Sequence, residues 1–319
     1  MYKISPIRLS LWLAPFLLFM NCTDKYAEYK KEPEYISKPT ALNEAYFKAY
    51  DETLNLWQVS FEELYISTTY GTAHVIVSGP KNADPLVLLH GMNASSTMWY
   101  PNIESLSKNH RVFAIDFILE PGKSNLERDI ESVENVTDWY EEVIATLELD
   151  SYHLIGASRG GWLAVTIALN KNNNVKSLIL LSPAQTFTWI RPSMDLFKNL
   201  VSLFSSEEKQ IEQTIESMST KVDQISDIYL KQYKLGLEKE SENKFITSMQ
   251  PFSNDELKSL QMPVLVLIGD DDVINGERTV EIAQMLPKGT GEIIQNAGHF
   301  LSIDQAEIVN KKMLEFLKN

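Results

Sequence analysis

The chain has 319 residues, 44% of them hydrophobic, which suits one sizeable domain with an insertion better than several small ones. Its formal net charge of −14 excludes nucleic acid and anionic membrane surfaces as electrostatic partners, because both would repel it at long range. A single cysteine, Cys22, excludes an internal disulfide and a thiolate metal cluster.

In chain order, Lys3 and Arg8 precede an apolar stretch from Leu9 to Met20 that is short for a bilayer and broken by Pro15. This predicts a secretory leader over residues 1–22 rather than a transmembrane helix. Cys22 follows at once, a placement that resembles a bacterial lipoprotein acceptor, although Phe19-Met20-Asn21 departs from the usual leucine and small residues. The expectation is export to the cell envelope, with membrane attachment through a lipidated Cys22 as one form of it. An uncleaved leader on a cytoplasmic protein is the competing reading. Residues 23–40 mix charges with Pro33 and Pro39, show no sustained apolar period, and are expected to form a tether.

The first part of the core is expected over residues 41–185. Leu42, Ala45, Tyr46, Ala49 and Leu56 keep helical spacing, and two β-like runs, Glu63 to Thr68 and Ala73 to Ser78, suit a hairpin around Tyr70-Gly71. From Pro85 the chain alternates. Leu86 to Leu89 reads as a strand, Ser96 to Leu106 as a helix and Arg111 to Ile115 as a strand. Val136, Trp139, Tyr140, Val143, Ile144 and Leu147 then mark one helix face, before strands at Tyr152 to Ile155 and Val175 to Leu181. Two apolar stripes, Met194 to Phe204 and Ile211 to Ile228, interrupt the alternation and predict a helical cap over residues 186–260, lying above the strand ends. Strands at Val264 to Ile268 and Glu292 to Ile294 complete the core over residues 261–319. Continuously apolar strands have no solvated face, so the pattern predicts an α/β fold with a mostly parallel sheet covered on both sides.

Gly156-Ala-Ser158-Arg-Gly160 lies between a strand-like run and a helix-like run, the context of a nucleophile elbow. A serine in so sharp a turn needs neighbours without colliding side chains, and Gly156 and Gly160 provide them. An unactivated hydroxyl is a poor nucleophile, so Ser158 requires a base and an acid that orients the base. Among five histidines, His299 in Asn296-Ala-Gly-His-Phe is the candidate base, on a loop between the last strand and the tail helix. His74, His110 and His153 are read as structural, and His90 as shaping its loop. The acid is expected in Asp270-Asp271-Asp272 after the Val264 strand, with Asp272 chosen and Asp270 in reserve. Candidate oxyanion donors are the amide of Arg159, at a helix start, and that of Met92 in His90-Gly91-Met92-Asn93; one such donor is worth about 2.7–4 kcal/mol. The Arg159 side chain is expected to point outward to a carboxylate. Turned into the pocket, it would favour acidic substrates. Trp99, Trp162, Phe187, Trp189 and Met194 are candidates for lining an apolar acyl site, although aromatics at such spacings more often belong to a core.

The chain resembles the α/β-hydrolase superfamily, and more narrowly the small bacterial carboxylesterases of the naproxen-ester-hydrolysing type. The stretches that carry this are LYISTTYGTAHVIVSGP, PLVLLHGMNASSTMWYPNI, GASRGG, LLSPAQTF and NAGHFLSIDQ. The resemblance implies the α/β-hydrolase fold with a helical cap, and hydrolysis of small-molecule carboxylic esters through an acyl-enzyme, without metal or cofactor. It puts Ser158, Asp272 and His299 at matching motif positions, in the chain order of that superfamily. Asp116-Phe-Ile-Leu-Glu-Pro-Gly122-Lys-Ser124 stands where many hydrolases carry D-x-x-G-x-G-x-S, so that turn should differ in shape. Other readings stay open: a noncatalytic hydrolase-fold ligand-binding protein, or a lactonase, C–C bond hydrolase or acyltransferase using the same triad.

Overall fold

A computed structural model describes residues 24–170, 174–190, 207–237 and 249–318; the leader with Cys22 and the Met194-to-Phe204 stripe lie outside them. The strands are β1 (Phe61–Thr68), β2 (Gly71–Ser78), β3 (Asp84–Leu89), β4 (His110–Ile115), β5 (Asn125–Leu126), β6 (Tyr152–Ala157), β7 (Val175–Leu181), β8 (Val264–Gly269) and β9 (Gly289–Ile294). They form one sheet in the order β1-β2-β4-β3-β6-β7-β8-β9, with β5 pairing β2. β2 runs antiparallel to β1 and β4, and every neighbouring pair from β4 to β9 is parallel. The longer helices are α1 (Ala41–Leu54), α2 (Val133–Thr146), α3 (Arg159–Leu169), α4 (Glu207–Met218), α5 (Asp227–Leu237), α6 (Glu277–Gln284) and α7 (Ala306–Phe316).

Strand side chains alternate between two cores. Leu86 and Leu88 of β3 join Tyr46, Tyr50, Trp99 and Ile155, whereas Val87 and Leu89 join Trp139, Tyr140, Leu154 and Leu163 on the opposite face. Each fully buried side chain of this size contributes about 1.5–3 kcal/mol relative to exposure. Helix starts follow from capping residues: the Thr40 side chain accepts from the Asn43 amide, and Ser132 from the Asn135 amide. The hairpin forms with Thr68 opposite Gly71, whose φ is +138°; a Cβ there would lie 2.1 Å from the Asn125 carbonyl oxygen, so glycine permits β5 to pair.

Two expectations are corrected. The helix predicted over Ser96 to Leu106 is split into a 3-10 turn at Ser96–Trp99 and a helical turn at Ile103–Ser107, because Pro101 between them has no N–H to continue the ladder. Residues 24–40, expected to form a tether, pack on the body. Tyr26 is buried, its hydroxyl donates to the Leu147 carbonyl at 3.0 Å, and its ring meets Phe113 edge-on. Tyr35 likewise donates to the Lys123 carbonyl at 2.9 Å. Single aromatic anchors hold this segment, and they leave no periodic trace in the sequence.

Parallel strands share one carboxyl edge, and the loops leaving them converge there. Leu89 pairs with Gly156, so the exits of β3 and β6 are adjacent; Gly269 pairs with Ile294, so those of β8 and β9 are too.

Candidate active site

Ser158 stands between β6 and α3 with φ 51° and ψ −117°, a strained conformation that costs on the order of 1–3 kcal/mol and persists only where its surroundings enforce it. They do so through both flanks. A Cβ on Gly156 would lie 2.1 Å from the Gly160 carbonyl oxygen, and one on Gly160 would lie 2.2 Å from that of Leu89. The Ser158 amide donates to the Leu181 carbonyl at 2.9 Å, and its own carbonyl accepts from Gly161 at 2.9 Å and Ala184 at 3.1 Å. With the backbone pinned, the side chain faces a pocket of about 780 Å³ counted to its open mouth. Met98, Leu181, Met218, Tyr229 and Tyr233 are among its lining residues, so α4 and α5 of the insertion contribute to it.

His299 Nε2 lies 2.8 Å from Ser158 Oγ, and Nδ1 lies 2.9 Å from Asp272 Oδ1. Burial alone would raise the Asp272 carboxyl. The His299 charge and hydrogen bond, with the Ile274 amide and the Asn275 side chain, outweigh it and bring the value to about 2. An ionised carboxylate accepts only, so Nδ1 carries the proton it donates and Nε2 keeps its lone pair for the serine hydroxyl. Ile274 donates to Asp272 Oδ1 at 2.9 Å and Asn275 Nδ2 to Oδ2 at 2.9 Å. Asp270 instead accepts from the Ala297 amide at 3.0 Å, and Asp271 is exposed. Asp304 braces the histidine loop: its carboxylate accepts from the Gly298 amide at 2.8 Å and from the Thr220 amide at 3.1 Å. Asn275 and Asp304 escaped the sequence reading. Asp304 lies within the NAGHFLSIDQ stretch, five residues beyond His299, and that shared stretch is the signal for it in the sequence.

The Met92 loop passes close to the nucleophile, for a Cβ on Gly91 would touch the Ser158 Cβ at 3.4 Å. His90 shapes that loop. Its Nε2 accepts from the Phe117 amide at 2.9 Å while Nδ1 donates to the Gly91 carbonyl at 2.8 Å, and burial holds its pKa below the usual histidine value. His74 is buried between Asp116 at 2.9 Å and Glu63 at 3.0 Å. Burial would lower its pKa, but those two carboxylates raise it. Asp116 also accepts from the Ser96 amide at 2.8 Å and the Tyr50 hydroxyl at 2.9 Å, so this cluster knits α1, β2 and the turn after β4. His110 donates to the Leu106 carbonyl at 3.2 Å, and His153 Nδ1 lies 2.7 Å from the Ser177 hydroxyl; both are at strand starts, far from Ser158.

The Arg159 side chain does not point outward. It is 2% exposed and forms a buried ion pair with Glu120, because the turn after β4 brings that carboxylate over the start of α3. Held there, the Arg159 guanidinium does not line the serine pocket, which removes the acid-selective reading of this residue. The aromatic candidates are corrected as well. Trp99 is wholly buried in the core, Phe187 is buried in the other core, and Trp189 is 59% exposed. Trp162 donates to the Gln250 carbonyl at 2.9 Å and stacks on Phe252. None of the four lines the serine pocket, and Met194 lies outside the described residues. Large rings repay full burial, and the core claims Trp99, Trp162 and Phe187, whereas Trp189 stays exposed.

Comparison with known proteins finds relatives of the same fold. A family profile described as alpha/beta hydrolase fold matches residues 84–224. The chain is 34% identical over 279 residues to carboxylesterase YbfK of Bacillus subtilis, covering 85% of this chain and 93% of the relative. It is also 34% identical over 278 residues to an uncharacterized carboxylesterase, nap, of the same organism, covering 85% and 91%. The crystal structure of naproxen esterase from Bacillus subtilis superposes with a TM-score of 0.81 at 35% identity, covering 87% of this chain and 99% of that one.

Proposed function

The chain belongs to the α/β-hydrolase family, and we propose that it is a serine carboxylesterase in which Ser158, His299 and Asp272 form the catalytic triad. The observation that carries this is the continuous relay from Ser158 Oγ through His299 to Asp272, at 2.8 and 2.9 Å. Ser158 Oγ attacks the ester carbonyl carbon as its proton passes to His299 Nε2. The amides of Met92 and Arg159 receive the resulting oxyanion. Collapse breaks the bond to the alcohol oxygen, which takes the proton from Nε2 and leaves an acyl-serine. A water then gives its proton to His299 and attacks the acyl carbon; the acid departs and the proton returns to Ser158. Asp272 stabilises the imidazolium in both halves without accepting its proton.

Among the described residues the pocket lining is mostly apolar and holds no Lys, Arg, Asp or Glu, which favours neutral esters, and the carboxylesterase relatives support the ester reading. The relay also counts against a noncatalytic binding protein, which has no need of a serine held in a strained turn. The insertion acts as a cap, with Met218 and Tyr229 shaping the acyl site. Export through the leader belongs to the same proposal, supported by Lys3, Arg8 and the apolar run to Met20. Mass measurement of the mature N-terminus tests it, and intact Met1 in the cytosol overturns it.

Ser158→Ala tests the reaction. Turnover of short p-nitrophenyl esters should fall by about 10⁶-fold with the fold unchanged, and fluorophosphonate labelling should disappear. Retained turnover overturns the assignment.

A further inference from the structure

We infer that the buried Glu120–Arg159 ion pair is a positioning device for the oxyanion hole, an inference that rests on the ester-hydrolase reading. Both side chains are 2% exposed, and neither lines the serine pocket, so they act through other groups rather than on substrate. Arg159 is the first residue of α3, directly after the nucleophile. Glu120 belongs to the turn after β4, the segment whose spacing departs from the common hydrolase pattern.

Glu120 has a second attachment. While one carboxylate oxygen meets the Arg159 guanidinium, the other, Oε2, accepts from the Asn93 amide at 2.7 Å. Asn93 holds φ 58°, a left-handed conformation uncommon outside glycine, and it adjoins Met92, the proposed donor. Met92 itself is 43% exposed and lines the serine pocket, and the tie at Asn93 is a part-buried attachment of this loop segment. One carboxylate thus ties the loop that presents the Met92 amide to the helix start that presents the Arg159 amide. The spacing of those two amides is what an oxyanion hole must keep constant, since its advantage is that the donors need no reorganisation when charge develops.

A stability role alone does not account for the arrangement. Buried ion pairs are often replaced by apolar residues of similar volume without loss of stability. What an apolar replacement cannot reproduce is the bond to the Asn93 amide. The double variant Glu120→Leu/Arg159→Met therefore separates the two roles. The second variant, Glu120→Asp, keeps the charge beside Arg159 but shortens the reach to Asn93.

Both variants are compared with the full-length parent for Tm, for kcat and KM on p-nitrophenyl butyrate, and for Ki of an aryl trifluoromethyl ketone. That ketone forms a serine-bound oxyanion in the same hole. Expected is a kcat lowered at least about 10-fold with KM within about two-fold, and a Ki raised by the same factor as kcat falls. Parental kcat in a folded variant, or a loss confined to KM, overturns the inference alone. An inert parent whose Ser158 resists fluorophosphonate overturns the esterase reading and this inference with it.

Discussion

Three adjacent aspartates follow β8, and they occupy three different environments. Asp272 is buried among His299, the Ile274 amide and Asn275; Asp270 secures the Ala297 amide; Asp271 faces solvent. Asp272→Asn should keep the fold and lower kcat by about 10⁴-fold, because an amide donating to Nδ1 leaves His299 in the wrong tautomer. Asp271→Ala should leave kcat unchanged, and steady-state kinetics on the pair checks both. Ser158 and His299 were legible because glycine-flanked turns between strand and helix have a sequence form. The direction of the Arg159 side chain was not, since it is set by Glu120, 39 positions earlier in the chain and in a turn of unusual spacing.

The nucleophile turn depends on how closely α3 approaches β3. A Cβ on Gly160 would meet the carbonyl oxygens of Leu89 at 2.2 Å and His90 at 2.6 Å, both backbone atoms that cannot swing aside. Gly160→Ala should therefore push α3 off the sheet, lower stability by more than about 2 kcal/mol and abolish turnover. Thermal unfolding beside p-nitrophenyl ester kinetics measures both effects. The strands were the most readable elements, because burial on both faces demands unbroken apolar runs. The Ser96 segment was misread where Pro101 interrupts it, and the N-terminal segment because Tyr26 and Tyr35 anchor it singly rather than as a face.

Across the whole molecule, buried carboxylates tie stability to pH. For Glu63, burial acts upward, but His74 and Lys123 outweigh it and bring its pKa from 4.5 to about 2. Asp272 moves from 3.8 to about 2, and Asp116 also lies below its ordinary value despite burial, mainly through His74. Carboxyls depressed in the folded state stabilise it above their unfolded values and lose that contribution as pH falls through the folded ones. Stability should therefore decline between pH 4.5 and about 2. His74, raised in the folded state, contributes fully below the unfolded histidine value, and its share is lost as pH rises through the folded one. Denaturant titrations across pH would show both limbs, and a flat acid limb would contradict the assignment. The chain joins the body at the edge opposite the active site: Tyr26 bonds Leu147 just before β6 begins, whereas Ser158 follows the end of β6. Removing residues 1–23 should accordingly leave kcat within about two-fold, which kinetics on the shortened chain would check.

Periodicity and local sterics, present in the sequence itself, determined the alternation of strands and helices, the nucleophile turn with Ser158, and His299, and narrowed the acid to Asp272 with Asp270 in reserve, a choice the structure decided for Asp272. Only the tertiary structure decided the pocket lining from Met98, Met218, Tyr229 and Tyr233, the inward pairing of Arg159 with Glu120, and the burial of His74 between Asp116 and Glu63. The reason is physical: a turn or a strand is specified by neighbouring residues, whereas a pocket wall or a buried ion pair depends on which distant segments the sheet brings to one place.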